Sequence, residues 1–181
     1  DFYTLSRIYG QMAGIFEEQD SYNIMHSYFK LASKYAFMAK DTLGALSYYR
    51  NEERWYYFTG KYDSVFIINK HVRSLYRRYG YKELASVPSD LEIYIYLLQK
   101  RFVKAKYYMD ISDKYFDKKY MHTNEYGISG YHKGLYYLGV NKLDSAKYFF
   151  ERELYNYSDY NNKQAAAKGL FMLYRKKKDA D

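Results

Sequence analysis

A short pattern of residues recurs four times along this chain, and the recurrence constrains the fold more than any other feature. Each copy begins with a large apolar residue, has a smaller apolar residue three positions later and is preceded, six positions earlier, by an aromatic residue. The copies begin at Tyr22, Tyr62, Phe102 and Leu143, at intervals of 40, 40 and 41 residues. The preceding aromatic residues are Phe16, Tyr56, Tyr96 and Tyr137. Such a period predicts a structural unit that buries its apolar face against neighbouring copies of itself.

Between these copies, apolar residues recur at three- and four-residue spacing, which is the helical period; Ile8, Met12 and Ile15 are an example. The sustained two-residue alternation of β-hairpins is absent from the sequence. Gly60 and Gly80 follow periodic runs, where helices end in left-handed glycines. The predicted helix pairs are approximately 3–18 with 22–38, 41–58 with 62–79, 82–98 with 102–118, and 123–139 with 143–157, followed by a terminal helix at 162–176.

The single proline, Pro88, is predicted to begin or kink a helix, with Ser86 as its N-terminal cap.

With 28 Tyr and 11 Phe among 181 residues, the chain is too aromatic to be disordered. It has no cysteine, which excludes disulfides and thiolate chemistry. No apolar stretch in the sequence is long enough to span a bilayer.

The fourth pair contains a more specific motif. Gly134 and Tyr137, followed by Ala146 and Phe150, reproduce the G-x2-Y…A-x3-F core of a known helical repeat, and residues 57–64 look like its inter-helix turn. In these features the chain resembles the tetratricopeptide repeat family, with units elongated to about 40 residues as in bacterial sensor-regulator proteins. The resemblance implies an all-α, right-handed superhelix of stacked antiparallel helix pairs, forming one domain over residues 1–181. Regulators of this kind often lie outside the cytoplasm, so an extracytoplasmic location is favoured.

The resemblance also implies a concave groove lined by the first helix of each pair. The lining positions are three before, and one and four after, the small residue aligned with Gly134. Carried onto this chain, they give the candidate binding residues Arg50, Arg54, Tyr57, Asp90, Tyr94 and Tyr131, with Leu97, Leu135 and Leu138 as an aliphatic floor. The family's carboxylate clamp is not expected, since Gly10 and Gly14 occupy its Lys and Asn positions.

These features predict a non-enzymatic protein-interaction module that binds a peptide or protein segment. Tyr94 and Tyr131 would pack against the ligand, and Arg50 and Arg54 would pair with its acidic groups. The alternative is a nucleic-acid surface on the second helices, because Lys and Arg number 29 against 21 Asp and Glu and interleave with tyrosines. The basic residues concerned are Arg73, Arg77, Arg78, Lys100, Arg101, Lys104, Lys106 and Arg175 to Lys178. Acidic residues among them favour a solvated face instead.

No catalytic, cofactor or metal-binding motif is present, and none of the four histidines has a partner at metal-ligand spacing; we therefore expect no enzyme activity, no cofactor and no metal. Tyr174 aligns with Tyr137, which puts Asp181 in register with Asp144 at the start of a second helix. The chain is thus expected to be a fragment that continues into another helix. Its terminal helix would have a stripe of apolar residues, of which one side can pack on the fourth pair and the other would be exposed and support a homodimer. The stripe contains Ala166, Leu170, Leu173 and Tyr174.

Overall fold

The computed structural model describes residues 1–119, 130–156 and 160–179. Within these ranges the regular structure is helical, and no described residue lies in a β-strand. The all-α class predicted from the sequence is confirmed for this part of the chain. The helices in chain order are α1 (Phe2–Glu18), α2 (Tyr22–Met38), α3 (Thr42–Asn51), α4 (Glu53–Phe58), α5 (Tyr62–Arg78), α6 (Asp90–Leu98), α7 (Phe102–Lys119), α8 (Gly130–Gly139), α9 (Leu143–Asn156) and α10 (Tyr160–Lys178).

Most helix bounds agree with the prediction to within two residues. The exceptions are the helices predicted over 41–58, 82–98 and 123–139. The first is divided between α3 and α4 at Glu52, whose amide bonds to the carbonyl of Tyr49 at 3.2 Å, a tighter i to i−3 turn. Residues 123–129 lie outside the described residues, so only α8 represents the helix predicted over 123–139. Residue 157, the predicted end of the next helix, also lies outside them.

The helix predicted over 82–98 is shorter than expected, since α6 begins only at Asp90. Residues 82–86 form a turn instead, and residues 87–89 have no regular structure. The physical reason is Pro88, which has no amide hydrogen and disfavours helical backbone at the residue before it.

The predicted cap of this helix is corrected as well. The hydroxyl of Ser86 donates to the carbonyl of Glu83 at 2.7 Å and does not cap α6. Ser89 does so, because its hydroxyl accepts a hydrogen bond from the amide of Glu92 at 3.1 Å.

The 40-residue period recurs in the backbone of the turns between paired helices. The turn residue two positions before the second helix of each pair has positive φ. The residue two positions after the end of α2 and of α5 also has positive φ. These residues are Asp20 (φ 55), Gly60 (φ 74), Lys100 (φ 56) and Asn141 (φ 61) in the first set, and Lys40 (φ 61) and Gly80 (φ 87) in the second. Each of the first four is followed by an amide that bonds back five residues at 2.8 Å, the hydrogen bond of a Schellman motif. Gly60 and Gly80 were predicted as such caps, and the prediction is confirmed.

Aromatic rings join the two helices of a pair at the same register in three of the four pairs. The late aromatic residue of the first helix stacks on the residue twelve positions later. The stacks are Phe16–Tyr28 (5.3 Å between centroids, 4° between planes), Tyr96–Tyr108 (5.5 Å, 7°) and Tyr137–Phe149 (5.3 Å, 3°). In the remaining pair, Ile68 takes this position and packs with Tyr56.

The chain divides into two compact units, Asp1–Glu92 and Ile93–Asp181, which are described separately. The single domain predicted over 1–181 stays a prediction. In the first unit, α1 packs on α2, α2 on α3, and α3 and α4 on α5. Two apolar clusters fill it. Their buried members are Ala13, Met25 and Phe29, and Leu46, Ile68, Val72, Tyr76 and Ala85.

In the second unit, α8 and α10 both pack on α9. The ring of Phe150 is fully buried between two glycines, since a Cβ at either Gly134 or Gly169 would overlap it. Ala146 is also fully buried. Of the stripe predicted on the terminal helix, Ala166 and Leu173 are fully buried, whereas Tyr174 is 52% exposed.

Candidate functional site

The two arginines predicted to contact a ligand lie in the first unit and are engaged within it. Arg54, in α4, pairs with the carboxylate of Glu17 in α1. Arg50, in α3, donates to the carbonyl of Val87 at 2.6 Å and to the side-chain oxygen of Asn69 at 3.4 Å. Arg50 therefore ties the turn before α6 to α3 and α5.

A buried carboxylate lies at the centre of this polar network. Glu53 accepts hydrogen bonds from the amide of Asn69 and from the hydroxyl of Ser89, the latter at 2.7 Å. Burial raises the pKa of Glu53, and the two hydrogen bonds and the nearby Arg50 act in the opposite direction. Arg73 pairs with the buried Glu92 at 2.6 Å. The network joins α3, α4, α5 and the start of α6 and therefore stabilises the packing of these helices. Arg50, as a member of this network, has little freedom to bind a ligand.

A second titratable pair in this unit lies against an aromatic wall. His26 Nδ1 lies 3.7 Å from a carboxylate oxygen of Glu52, and its ring stacks on Trp55 at 4.7 Å. Burial raises the pKa of Glu52 to about 7, with Lys30 acting in the opposite direction. Burial also lowers the pKa of His26, as does the charge of Lys30. Both shifts favour the neutral forms near neutral pH.

The other predicted site residues are divided between the units. Tyr57 is half-buried in α4 and packs beside Phe58 and Tyr62. Asp90 is exposed in the first turn of α6, in the first unit. Tyr94 and Tyr131 are brought together in the second unit, with ring centroids 6.2 Å apart.

Tyr94 and Tyr131 line a cavity of about 520 Å³, here named the tyrosine cavity. His132 stacks on Tyr94 at 5.4 Å and forms part of its wall. The rest of the lining comes from α10, which supplies the amide of Gln164 and the ammonium of Lys168. The lining residues are Tyr94, Tyr131, His132, Gln164, Ala165 and Lys168.

A cavity of about 400 Å³ is lined by the same three helices and by Lys100 and Phe102, just before and at the start of α7, and it is here named the leucine cavity. Its lining is aliphatic except for one aromatic ring and two lysines. The lining residues are Leu97, Leu98, Lys100, Phe102, Leu135, Leu138, Gly139, Met172 and Lys176. Leu97, Leu135 and Leu138, expected as the aliphatic floor of a groove, thus line one cavity.

The two cavities are one helical turn apart. From the tyrosine cavity to the leucine cavity, α6 advances from Tyr94 to Leu97, and α10 advances from Lys168 to Met172. Steps of three and four residues keep side chains on one helix face and advance them by about 4.5–6 Å. The two cavities therefore form one surface, named here the α6–α8–α10 groove.

The contributions of α10 were not among the predicted site residues. Extending the same register to the last helix would have found two of them. Because Tyr174 aligns with Tyr137, position 171 aligns with Gly134, and the positions three before and one after it are Lys168 and Met172.

Several basic residues of the proposed nucleic-acid surface interact with their own unit. Arg73 pairs with Glu92 in the first unit, and Lys106 pairs with Asp110 in the second. Arg101 and Lys104 both lie over the ring of Tyr96, at 5.0 and 5.7 Å from its centroid.

Across the described ranges, no three His, Asp or Glu side chains converge as metal ligands would. No described helix is both long and apolar enough to cross a bilayer. Comparison with known proteins finds no match for this chain among family models, curated proteins or solved structures.

Proposed function

We propose that this chain is a non-enzymatic protein-interaction module that binds a peptide or protein segment in the α6–α8–α10 groove. The observation that supports this most is the convergence of three helices on two adjoining cavities, one polar and aromatic and the other aliphatic. Binding sites in proteins commonly combine a concave apolar surface with a few convergent polar groups. Two of the predicted ligand contacts, Tyr94 and Tyr131, lie in this groove.

The mechanism is burial of ligand side chains in preformed cavities. A leucine-sized side chain that leaves water for the leucine cavity contributes about 1.5–3 kcal/mol. The tyrosine rings offer flat apolar faces with polar edges, which suits recognition of mixed segments. Because Leu138 is buried and both α8 and α10 are packed on α9, little of this free energy is lost in ordering these walls of the site.

The finer architecture, a right-handed tetratricopeptide-like superhelix, belongs to the same proposal. It is supported by the left-handed turn residues at Asp20, Gly60, Lys100 and Asn141, which recur at the period of the sequence. It is further supported by ring stacks at equivalent positions of three pairs. Helix pairs with the same turn and the same contact at a constant period are what a solenoid requires.

Selection of random peptides displayed on phage against the immobilised protein tests the proposal. Enriched peptides are then measured by fluorescence anisotropy against Met172→Glu and Phe171→Glu. Met172 is 40% exposed in the groove, whereas its neighbour Phe171 is 66% exposed and lines neither cavity. We expect Met172→Glu to weaken binding by about tenfold or more, and Phe171→Glu to leave it within about twofold.

Equal loss in both variants, or selection of no groove-dependent peptide, would contradict the proposal. The same assay with a single-stranded oligonucleotide tests the alternative function. Nucleic-acid binding through the exposed Arg77 and Arg78 would fall steeply as salt is raised, whereas peptide binding in an apolar groove should change little.

A further inference from the structure

The polar groups of the α6–α8–α10 groove follow a regular order along α10. Lys168 lines the tyrosine cavity, Met172 lines the leucine cavity and Lys176 lines its far side. The three residues are four positions apart, so they advance along one helix face in steps of about 6 Å. The order along the groove is therefore cation, apolar residue, cation.

Lysines line both ends of the groove, Lys168 in the tyrosine cavity and Lys176 in the leucine cavity. Lys100 joins Lys176 in the lining of the leucine cavity. Of the described residues that line the two cavities, none is acidic. The ammonium of Lys176 donates to the carbonyl of Leu138 at 3.0 Å, which holds this charge at the rim. A ligand that matched this surface would have an anionic group at each end and an apolar group between them.

The middle of the groove excludes a charged group. Leu97, Leu135 and Met172 supply only carbon and sulfur there. An ionised side chain in such surroundings would lose its hydration without gaining a partner. A branched aliphatic side chain would instead be stabilised by burial.

We infer that the groove recognises an extended acidic segment of the pattern acid-x-aliphatic-x-acid, an inference that rests on the proposed peptide-binding function. Lys168 and Lys176 are eight residues apart on α10, which corresponds to about 12 Å. An extended segment places alternate side chains on one side and covers about 13 Å in four residues, so its two acids reach the two lysines. The amide of Gln164 in the tyrosine cavity offers a donor and an acceptor to the open backbone groups of such a segment.

Three synthetic peptides with blocked termini test the pattern by fluorescence anisotropy. The first has the core Glu-Ser-Leu-Ser-Glu, the second replaces both acids with lysine and the third replaces leucine with serine. We expect the first to bind, and each of the other two to bind more weakly by about tenfold or more. Equal binding of the first and second peptides would overturn the inference.

A charge exchange identifies the contact. Lys168→Glu should weaken binding of the first peptide, which has both acids. It should strengthen binding of a fourth peptide, in which one of the two acids of the core is replaced with lysine. Lys163→Glu makes the same change of charge on α10 outside both cavities and serves as the control. Lys168 is exposed and Lys163 is partly exposed, so neither substitution should prevent folding, which circular dichroism checks.

The outcomes separate this inference from the proposed function. If Lys168→Glu and Lys163→Glu behave alike, the acidic pattern is wrong. If displayed peptides bind through Met172 but lack acidic residues, the acidic pattern is again wrong and the binding function stands. If no peptide binds the groove at all, both fail.

Discussion

At the scale of single residues, the recurring feature is the left-handed turn position after a helix. Among the described residues, six turns between helices each have one residue at positive φ. Only two of these six residues, Gly60 and Gly80, are glycine. A residue with a Cβ atom has a conformational energy roughly 1–2 kcal/mol higher in this conformation than in a right-handed one. The other four positions have polar or charged residues, of which Asn and Asp tolerate it best. The turn is thus fixed by hydrogen bonds and packing as well as by residue type.

Gly60→Ala should lower the free energy of unfolding by about 1 kcal/mol. A Cβ at Gly60 would meet no atom within 4 Å, so the whole effect would come from its backbone conformation. Gly14→Ala is the matched control, because its Cβ would also meet nothing but its backbone is helical. That variant should gain about 0.5–1 kcal/mol. Urea denaturation that gave the two variants the same sign would contradict this reading.

Burial of Glu52 should make stability depend on pH. Its pKa is about 7 in the folded chain against an ordinary 4.5, so the folded state holds the proton more tightly over that interval. Stability contributed by this group therefore falls as pH rises from about 4.5 to about 7. Glu52→Gln removes the effect, and the variant should gain on wild type by about 1–2 kcal/mol across this window after allowance for solvent access. Denaturation curves at several pH values measure it, and parallel profiles would refute it.

At the scale of helices, close packing depends on a few small residues. Phe150 of α9 occupies the space left by Gly134 of α8 and Gly169 of α10. The contact explains why the tetratricopeptide-like pattern has a small residue in the first helix and a large aromatic residue in the second. The fit leaves no room for an added methyl group.

Gly134→Ala should destabilise the protein by about 1–2 kcal/mol, even though alanine favours helices, because the new Cβ would overlap the Phe150 ring. The double variant Gly134→Ala with Phe150→Leu should recover part of the loss, since leucine lacks the ring atoms at the overlap. Thermal melts of the single variants and the double variant form a mutant cycle. Additive effects would show that the two residues do not touch.

The two predicted groove arginines should differ in their contribution to stability. Arg50 bonds to Val87 and Asn69 beside the buried Glu53, so Arg50→Ala should cost about 2–3 kcal/mol. Arg54 is 44% exposed in its pair with Glu17, and Arg54→Ala should cost less than about 1 kcal/mol. Urea midpoints compare them. Equal costs would mean that Arg50 is not part of the structural network.

At the scale of the whole molecule, the proposed repeat architecture predicts coupling between neighbouring helix pairs. A single domain over residues 1–181, as predicted from the sequence, should unfold in one cooperative transition because each pair is stabilised by its neighbours. Differential scanning calorimetry measures this through the ratio of calorimetric to van't Hoff enthalpy. A ratio of about one would support the single domain. Two resolved transitions, one for each compact unit, would contradict it.

Much of the fold could be predicted because its determinants are local. Helix bounds follow from apolar residues three and four apart, and helix ends follow from residues such as Gly60 and Gly80 that accept positive φ. The break at Pro88 was visible, but its consequence was not: the cap moved to Ser89, which is buried among residues distant in sequence. The positions carried over from the tetratricopeptide resemblance included Tyr94 and Tyr131, and both residues line the tyrosine cavity.

The sequence by itself determined the all-α class and the 40-residue period, because the helical pattern behind them depends on residues within one or two turns of each other. Only the tertiary structure decided which charged residues remain available for a ligand. Arg50 and Arg54 have partners 19 to 37 residues away, and no local pattern distinguishes them from Lys168 in the groove. The physical reason is that pairing of charges depends on distances between helices. Those distances are set when apolar faces pack, and not by the spacing of residues along the chain.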